Sequence, residues 1–78
     1  MKLNVNELRG ILITVFQNSE IPTDIMSLKI NDFEEWDSLG NFTLLLAVED
    51  RCNIKFDLSE MHELNSVNSI LLALGKRA

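Results

Sequence analysis

Apolar residues recur at intervals of three and four along most of the chain, which is the spacing of one face of an α-helix. The first group is Val5, Leu8, Leu12, Val15 and Phe16. Asn4 stands before this group as an N-cap, and Glu7 follows it by three residues, as in a capping box. The pattern predicts a first helix over about residues 4–17.

A second helix is predicted from about Ser38 to Arg51, with Asp37 as its N-cap. Projection of this helix gives two apolar stripes rather than one. The first, called the inward stripe, contains Asn41, Leu44, Leu45, Val48 and Cys52. The second, called the outward stripe, contains Leu39, Phe42 and Leu46. Because a surface helix needs only one apolar face for the core, we expect the outward stripe to stay largely exposed.

The rest of the chain predicts a long connection and two more helices. Residues 18–36 show no sustained helical period, although Ile25, Leu28, Ile30 and Phe33 could attach this loop to the core. A capping-box pattern, Asp57 to Glu60, opens a short helix that ends near Glu63.

Ser66 or Asn65 caps a last helix, and Gly75 with Lys76 and Arg77 predicts its end. Its apolar stripe is Val67, Ile70, Leu71 and Leu74. The expected fold is all-α, a single domain over residues 1–78 with three main helices, one short helix, and a long loop between helices 1 and 2.

Composition and charge narrow the function classes. The formal charge is −5, with 12 acidic and 7 basic residues, which argues against nucleic acid and favours partners with basic docking patches. Cys52 is the one cysteine, so no internal disulfide is expected and a reducing cytoplasm is favoured. The apolar runs are too short for a membrane span. Neither metal-ligand spacing nor a nucleophile–base pair is evident, so an independent enzyme is not expected.

Ser38 is the residue with the most interesting local chemistry. It falls in the first turn of the second helix, where free backbone N–H groups and the positive end of the helix dipole favour a phosphate. By local physics alone, Ser38 is still more simply explained as an ordinary first-turn residue.

The stretch "WDSLGNFTLLLAVEDRCNIKF", residues 36–56, resembles the attachment motif and following helix of acyl carrier proteins. The long loop before it, the helices after it and the chain length extend the resemblance to essentially the whole sequence. The resemblance implies that Ser38 receives 4′-phosphopantetheine from coenzyme A, with Asp37 and Leu39 as flanking motif positions. A magnesium-dependent phosphopantetheinyl transferase would attach the arm, and its thiol would then carry acyl groups as thioesters.

The resemblance also implies a docking surface on the second helix. The matching positions are Leu39, Phe42, Thr43, Leu46, Glu49 and Asp50, which include the whole outward stripe. The expected partners are acyl-loading and acyl-transfer enzymes, with the carrier itself a monomer. Val48, Ile54, Met61 and Leu64 are candidate linings of an acyl cleft, and a core role explains each equally well. His62 is expected at the surface, and Cys52 as a buried, unreactive thiol.

The sequence departs from typical fatty-acid carriers in two ways. The start of the second helix has Gly40, Asn41 and Thr43 where acidic residues are usual, although Asp32, Glu34 and Glu35 in the loop could compensate. Trp36 replaces the small residue that commonly precedes the motif. These departures favour a discrete carrier of a specialised bacterial pathway, fatty-acid or polyketide-like. An aminoacyl or peptidyl carrier is the main alternative, followed by a helical adaptor in which Ser38 is never modified.

Overall fold

A computed structural model describes residues 3–76 of the chain. This part folds into four α-helices: α1 is Val5–Val15, α2 is Ser38–Cys52, α3 is Leu58–Glu63 and α4 is Val67–Lys76. The fold class is therefore the expected one, an all-α bundle of three main helices and one short helix, with a long connection between α1 and α2. None of the helices within residues 3–76 has the length and apolarity needed to cross a membrane.

The helix starts follow the capping chemistry of the sequence. Asn4 and Glu7 form the expected capping box at α1, and Asp57 and Glu60 form the one at α3. Ser66, rather than Asn65, caps α4, because its Oγ accepts a hydrogen bond of 3.0 Å from the backbone N–H of Ser69. These side chains satisfy N–H groups that the first turn of a helix leaves without partners.

The end of α4 differs from the expectation, whereas α2 ends close to the expected residue. Gly75 does not terminate α4 in a left-handed conformation, since the helix continues through it to Lys76 and no glycine of the described residues has a positive φ. Arg77 lies outside the described residues. α2 ends at Cys52, and Asn53 is its C-cap. The φ of Asn53 is 55°, in the left-handed region that asparagine adopts more easily than most residues.

The core lies where the inward-facing positions of the helices meet. It includes Leu8 and Leu12 of α1, the inward stripe of α2, and Val67, Ile70 and Leu74 of α4. Burial confirms the inward stripe of α2 completely. In α1 and α4 the stripes are confirmed except at Val5, which is exposed, and at Val15 and Leu71, which are half-buried. An ion pair of 2.6 Å between Arg51 and Glu7 adds a polar contact between α2 and α1 at the edge of the core.

The α1–α2 connection is packed onto the bundle rather than extended from it. Ile25 is fully buried, and Leu28, Ile30 and Phe33 pack against the core. The backbone of this loop also pairs with the α3–α4 junction, since the N–H of Ile30 donates to Asn65 O at 2.8 Å and the N–H of Val67 donates to Leu28 O at 3.0 Å. The loop therefore reaches across the bundle and fixes the junction that follows α3.

The close packing of the loop against α2 requires glycine at residue 40. A Cβ at this position would overlap the backbone carbonyl of Glu35 and come within 3.2 Å of the Phe16 ring. Because the obstacle is backbone, a rotamer change could not relieve it. Gly40 therefore allows the loop to lie directly against the first turn of α2.

We expect Gly40→Ala to lower the free energy of unfolding by about 2–3 kcal/mol, because the loop and helix must separate to make room for the methyl group. Urea denaturation followed by far-ultraviolet circular dichroism measures this loss. Gly10→Ala is the matched control, since a Cβ there meets nothing within 4 Å. It should stabilise the protein by about 0.5–1 kcal/mol, the helix-propensity difference. Equal stability of the two variants would contradict the steric explanation.

Candidate functional site

Ser38 is the first residue of α2 and is exposed to solvent. Asp37 is the N-cap, as expected, and its carboxylate accepts a hydrogen bond of 2.8 Å from the backbone N–H of Gly40. The helical hydrogen bonds begin with Asn41, whose N–H donates to Asp37 O at 2.8 Å. The N–H groups of Ser38 and Leu39 thus precede the first helical donor, and they keep the positive end of the dipole beside the Ser38 hydroxyl.

Three aromatic rings hold the start of α2 against the end of α1. Trp36 is fully buried, and its ring stacks on Phe16 with centroids 5.6 Å apart. Phe33 contacts both rings, with centroid separations of 6.2 Å to each. Because Trp36 lies only two residues before Ser38, this cluster fixes where the serine emerges from the bundle.

Asn41 links Trp36 to the far side of the bundle through two buried hydrogen bonds. Its Oδ1 accepts from the Trp36 indole N–H at 2.9 Å, and its Nδ2 donates to the backbone carbonyl of Leu64 at 3.0 Å. Leu64 directly follows α3, so this amide ties the start of α2 to the end of α3. We call this arrangement the Trp36–Asn41–Leu64 bridge. The departures at residues 36 and 41 therefore have a structural cause within the fold.

The position of Glu49 corrects the expected docking surface. Its side chain is buried, and Oε2 accepts a hydrogen bond of 2.6 Å from the backbone N–H of Phe56. The expectation of an exposed acid at this position is wrong, because the carboxylate satisfies a buried backbone donor in the α2–α3 connection. Glu49 thus has a structural role where the helical projection placed it at the rim.

The other expected docking positions lie on the surface. The outward stripe is exposed, with accessible fractions of 74% for Leu39, 43% for Phe42 and 46% for Leu46. Thr43 and Asp50 are also exposed, although the Thr43 hydroxyl donates to Leu39 O of its own helix at 3.0 Å. Three large apolar side chains on one face of one helix are an unusual surface for a small protein, and such groups commonly mark a protein contact.

A cleft of about 270 Å³ opens beside Ser38, between α2, α3 and the long loop. Its wall is mostly apolar, and we call it the Ser38 cleft. The lining residues are Ile30, Ser38, Asn41, Phe42, Leu58, Met61, His62 and Asn65. An exposed hydroxyl at the edge of an apolar cleft is a suitable attachment point for a flexible group that lies partly against the protein.

The cleft differs in composition from the one expected. Met61 lines it, but Val48 is fully buried in the core, Leu64 is buried, and Ile54 is half-buried elsewhere. Leu58 and Ile30 were missed because α3 and the loop are brought to α2 only by tertiary packing. His62 is exposed, as expected, and it lies on the cleft wall.

The two remaining groups of predicted chemistry are the cysteine and the loop acids. Cys52 is buried, and burial raises the pKa of its thiol, which keeps it protonated and poorly reactive. Glu35 Oε1 accepts from the Asn18 N–H and the Ser19 hydroxyl. The backbone N–H of Lys29 lowers the pKa of the exposed Asp32 carboxyl by hydrogen bonding to it. The Asp32 and Glu35 side chains therefore organise the loop, and Glu34 is exposed.

Comparison with known proteins identifies no relative of this chain. No protein-family model, curated protein or solved structure matches the chain. Within residues 3–76, no group of three or more His, Cys, Asp or Glu side chains is placed to hold a metal ion.

We expect Asn41→Ala to lower the free energy of unfolding by about 2–4 kcal/mol, because it leaves the Trp36 indole N–H and the Leu64 carbonyl buried without their partner. Denaturation monitored by Trp36 fluorescence measures the change. Asn68→Ala, at an exposed position of α4, is the control and should change stability by no more than about 0.5 kcal/mol. A loss as small as that of the control would show that the bridge contributes little.

Proposed function

We propose that this chain is a carrier protein in which the Ser38 hydroxyl bears 4′-phosphopantetheine. The observation that carries the proposal is the placement of an exposed serine at the first residue of α2, at the mouth of an apolar cleft and beside the outward stripe. The resemblance of residues 36–56 to acyl carrier proteins supports the same assignment. The cargo is an acyl group on its way between enzymes of a biosynthetic pathway.

The residues around Ser38 fit the phosphate of the arm. The N–H groups of Ser38 and Leu39 lie at the positive end of α2, and the Asp37 carboxylate is occupied by the Gly40 N–H. The arm itself has room to lie in the Ser38 cleft. The apolar side chains of this cleft are Ile30, Phe42, Leu58 and Met61. When bound, the arm supplies a terminal thiol that holds acyl groups as thioesters.

The attachment reaction is catalysed by a partner, a magnesium-dependent phosphopantetheinyl transferase. The Ser38 oxygen attacks the phosphorus of coenzyme A that bears pantetheine and forms a phosphodiester. The pyrophosphate P–O bond breaks, adenosine bisphosphate leaves, and a base of the transferase takes the hydroxyl proton. Exposure of Ser38 is what this reaction requires of the carrier, because the transferase must reach the oxygen directly.

The outward stripe is the docking surface for the transferase and for the enzymes that load and remove the acyl group. Leu39, Phe42 and Leu46 provide the apolar contact, with Thr43 between them on the same exposed face. Asp50 and the net charge of −5 favour enzymes with basic patches. Glu49 is excluded from this surface by its burial. The carrier acts as a monomer, since transient docking with several enzymes needs this face uncovered, and its single cysteine suits a reducing cytoplasm.

We expect incubation with coenzyme A, magnesium and a promiscuous phosphopantetheinyl transferase to add the mass of one arm to the intact protein. Ser38→Ala should abolish the addition and keep the helical circular dichroism spectrum, because Ser38 is exposed and contributes little to packing. Ser59→Ala is the matched control, an exposed serine of α3, and should be modified like the wild type. A folded wild type with unchanged mass would favour an unmodified helical adaptor.

We expect Leu46→Arg to reduce kcat/KM of the transferase toward the carrier by roughly tenfold or more, because it places a positive charge in the apolar docking contact. Initial rates of arm transfer at fixed ionic strength measure the effect. Leu72→Arg provides the matched control, since Leu72 is 59% exposed but lies on α4. Equal rates for the two variants would place docking on another face.

A further inference from the structure

Buried hydrogen bonds lie at the floor of the Ser38 cleft and hold α3 against α2 beside it. Asn41 forms part of the floor, and the Trp36–Asn41–Leu64 bridge fixes its side chain on both sides. Leu44 and Leu45, on the same inward stripe of α2, are both fully buried in the core. An alkyl chain entering the bundle from the cleft would first have to displace the Asn41 side chain. The Trp36 indole N–H would then lose its acceptor.

The other end of the α2–α3 interface is held by a second buried contact. Glu49, near the end of α2, accepts a hydrogen bond of 2.6 Å from Phe56, which precedes α3. The Asn41–Leu64 contact follows α3, so this short helix is fastened to α2 just before its start and just after its end. Widening the gap between α2 and α3 would therefore break at least one of these contacts.

The long loop between α1 and α2 also resists opening of the cleft. Ile30 lines it, and its backbone N–H donates to Asn65 O, another residue of the lining. Every segment around the cleft is thus joined to a neighbour by a hydrogen bond shown above. The available space is about 270 Å³ and is open to solvent, and the arm proposed for Ser38 would occupy part of it.

From this geometry we infer that the carrier leaves its cargo outside the bundle, and that its cargo is a short or polar acyl group rather than a long alkyl chain. This inference rests on the proposed attachment at Ser38. A long alkyl chain kept in water would expose its apolar surface, and its burial would break the polar contacts that hold α3. A short or polar group, aminoacyl groups included, has little to gain from burial.

The test uses the whole chain loaded at Ser38 with acetyl, hexanoyl or decanoyl pantetheine through stable amide linkages. Trp36 is the one tryptophan, so its indole N–H gives one signal in a ¹H–¹⁵N spectrum and reports directly on the cleft floor. We expect this signal to coincide in the three forms, with melting temperatures that agree within about 1 °C. The amide of Leu39 is the internal control, because attachment at the adjacent serine should shift it in every form.

Two results would overturn the inference while leaving the carrier function intact. One is an indole signal that moves progressively from acetyl to decanoyl, and the other is a melting temperature that rises by about 4 °C or more over that series. Either would show that the alkyl chain enters the core. If the intact mass shows that no arm is added at Ser38, the proposed function fails instead. The mass of each sample therefore separates the two failures before any resonance is compared.

Discussion

The arrangement on which the rest of the structure depends is the burial of Trp36 with its indole N–H satisfied by Asn41. Removing so large a ring from water stabilises the fold by roughly 4–6 kcal/mol, at about 25 cal/mol per Å² over about 150–250 Å². The buried indole N–H needs an acceptor, and the side chain of Asn41, near the start of α2, supplies it. The second hydrogen bond of that amide, to Leu64, then fixes the end of α3.

This arrangement explains why the sequence before and after Ser38 departs from the pattern of typical fatty-acid carriers. Trp36 fills the space between α1, the loop and α2, and Gly40 lets the loop approach the helix without a Cβ in the way. Asn41 is required by the indole and by the Leu64 carbonyl. The first turns of α2 therefore serve the fold through residues 40 and 41 and leave the hydroxyl of Ser38 and the side chain of Leu39 exposed. Buried and exposed positions alternate around the helix, because 3.6 residues per turn place neighbours on different faces.

The same separation of faces distinguishes the outward stripe from the Ser38 cleft. On the outward stripe, large apolar side chains are exposed on the helix surface, so a protein partner could cover them without rearranging the bundle. In the Ser38 cleft, apolar walls end at a polar floor whose hydrogen bonds are satisfied internally. The outward stripe can thus be covered by a molecule from outside the bundle. A group that enters deeper than the Ser38 cleft must break buried hydrogen bonds. The same two side chains, Trp36 and Asn41, position the serine and limit the space behind it.

The helices, their starts and the core faces of α1, α2 and α4 could be predicted from the sequence, apart from the exposed Val5. Capping side chains act within three residues of the N–H groups they satisfy, so Asn4, Asp37 and Asp57 could be assigned locally. The periodicity of α2 also separated Leu39, Phe42 and Leu46 from the inward stripe. Tertiary structure alone decided that Glu49 turns inward to Phe56, that Leu58 and Ile30 reach the Ser38 cleft, and that Asn41 joins Trp36 to Leu64. These contacts join segments whose mutual approach depends on the path of the loop and on α3, which no local spacing encodes.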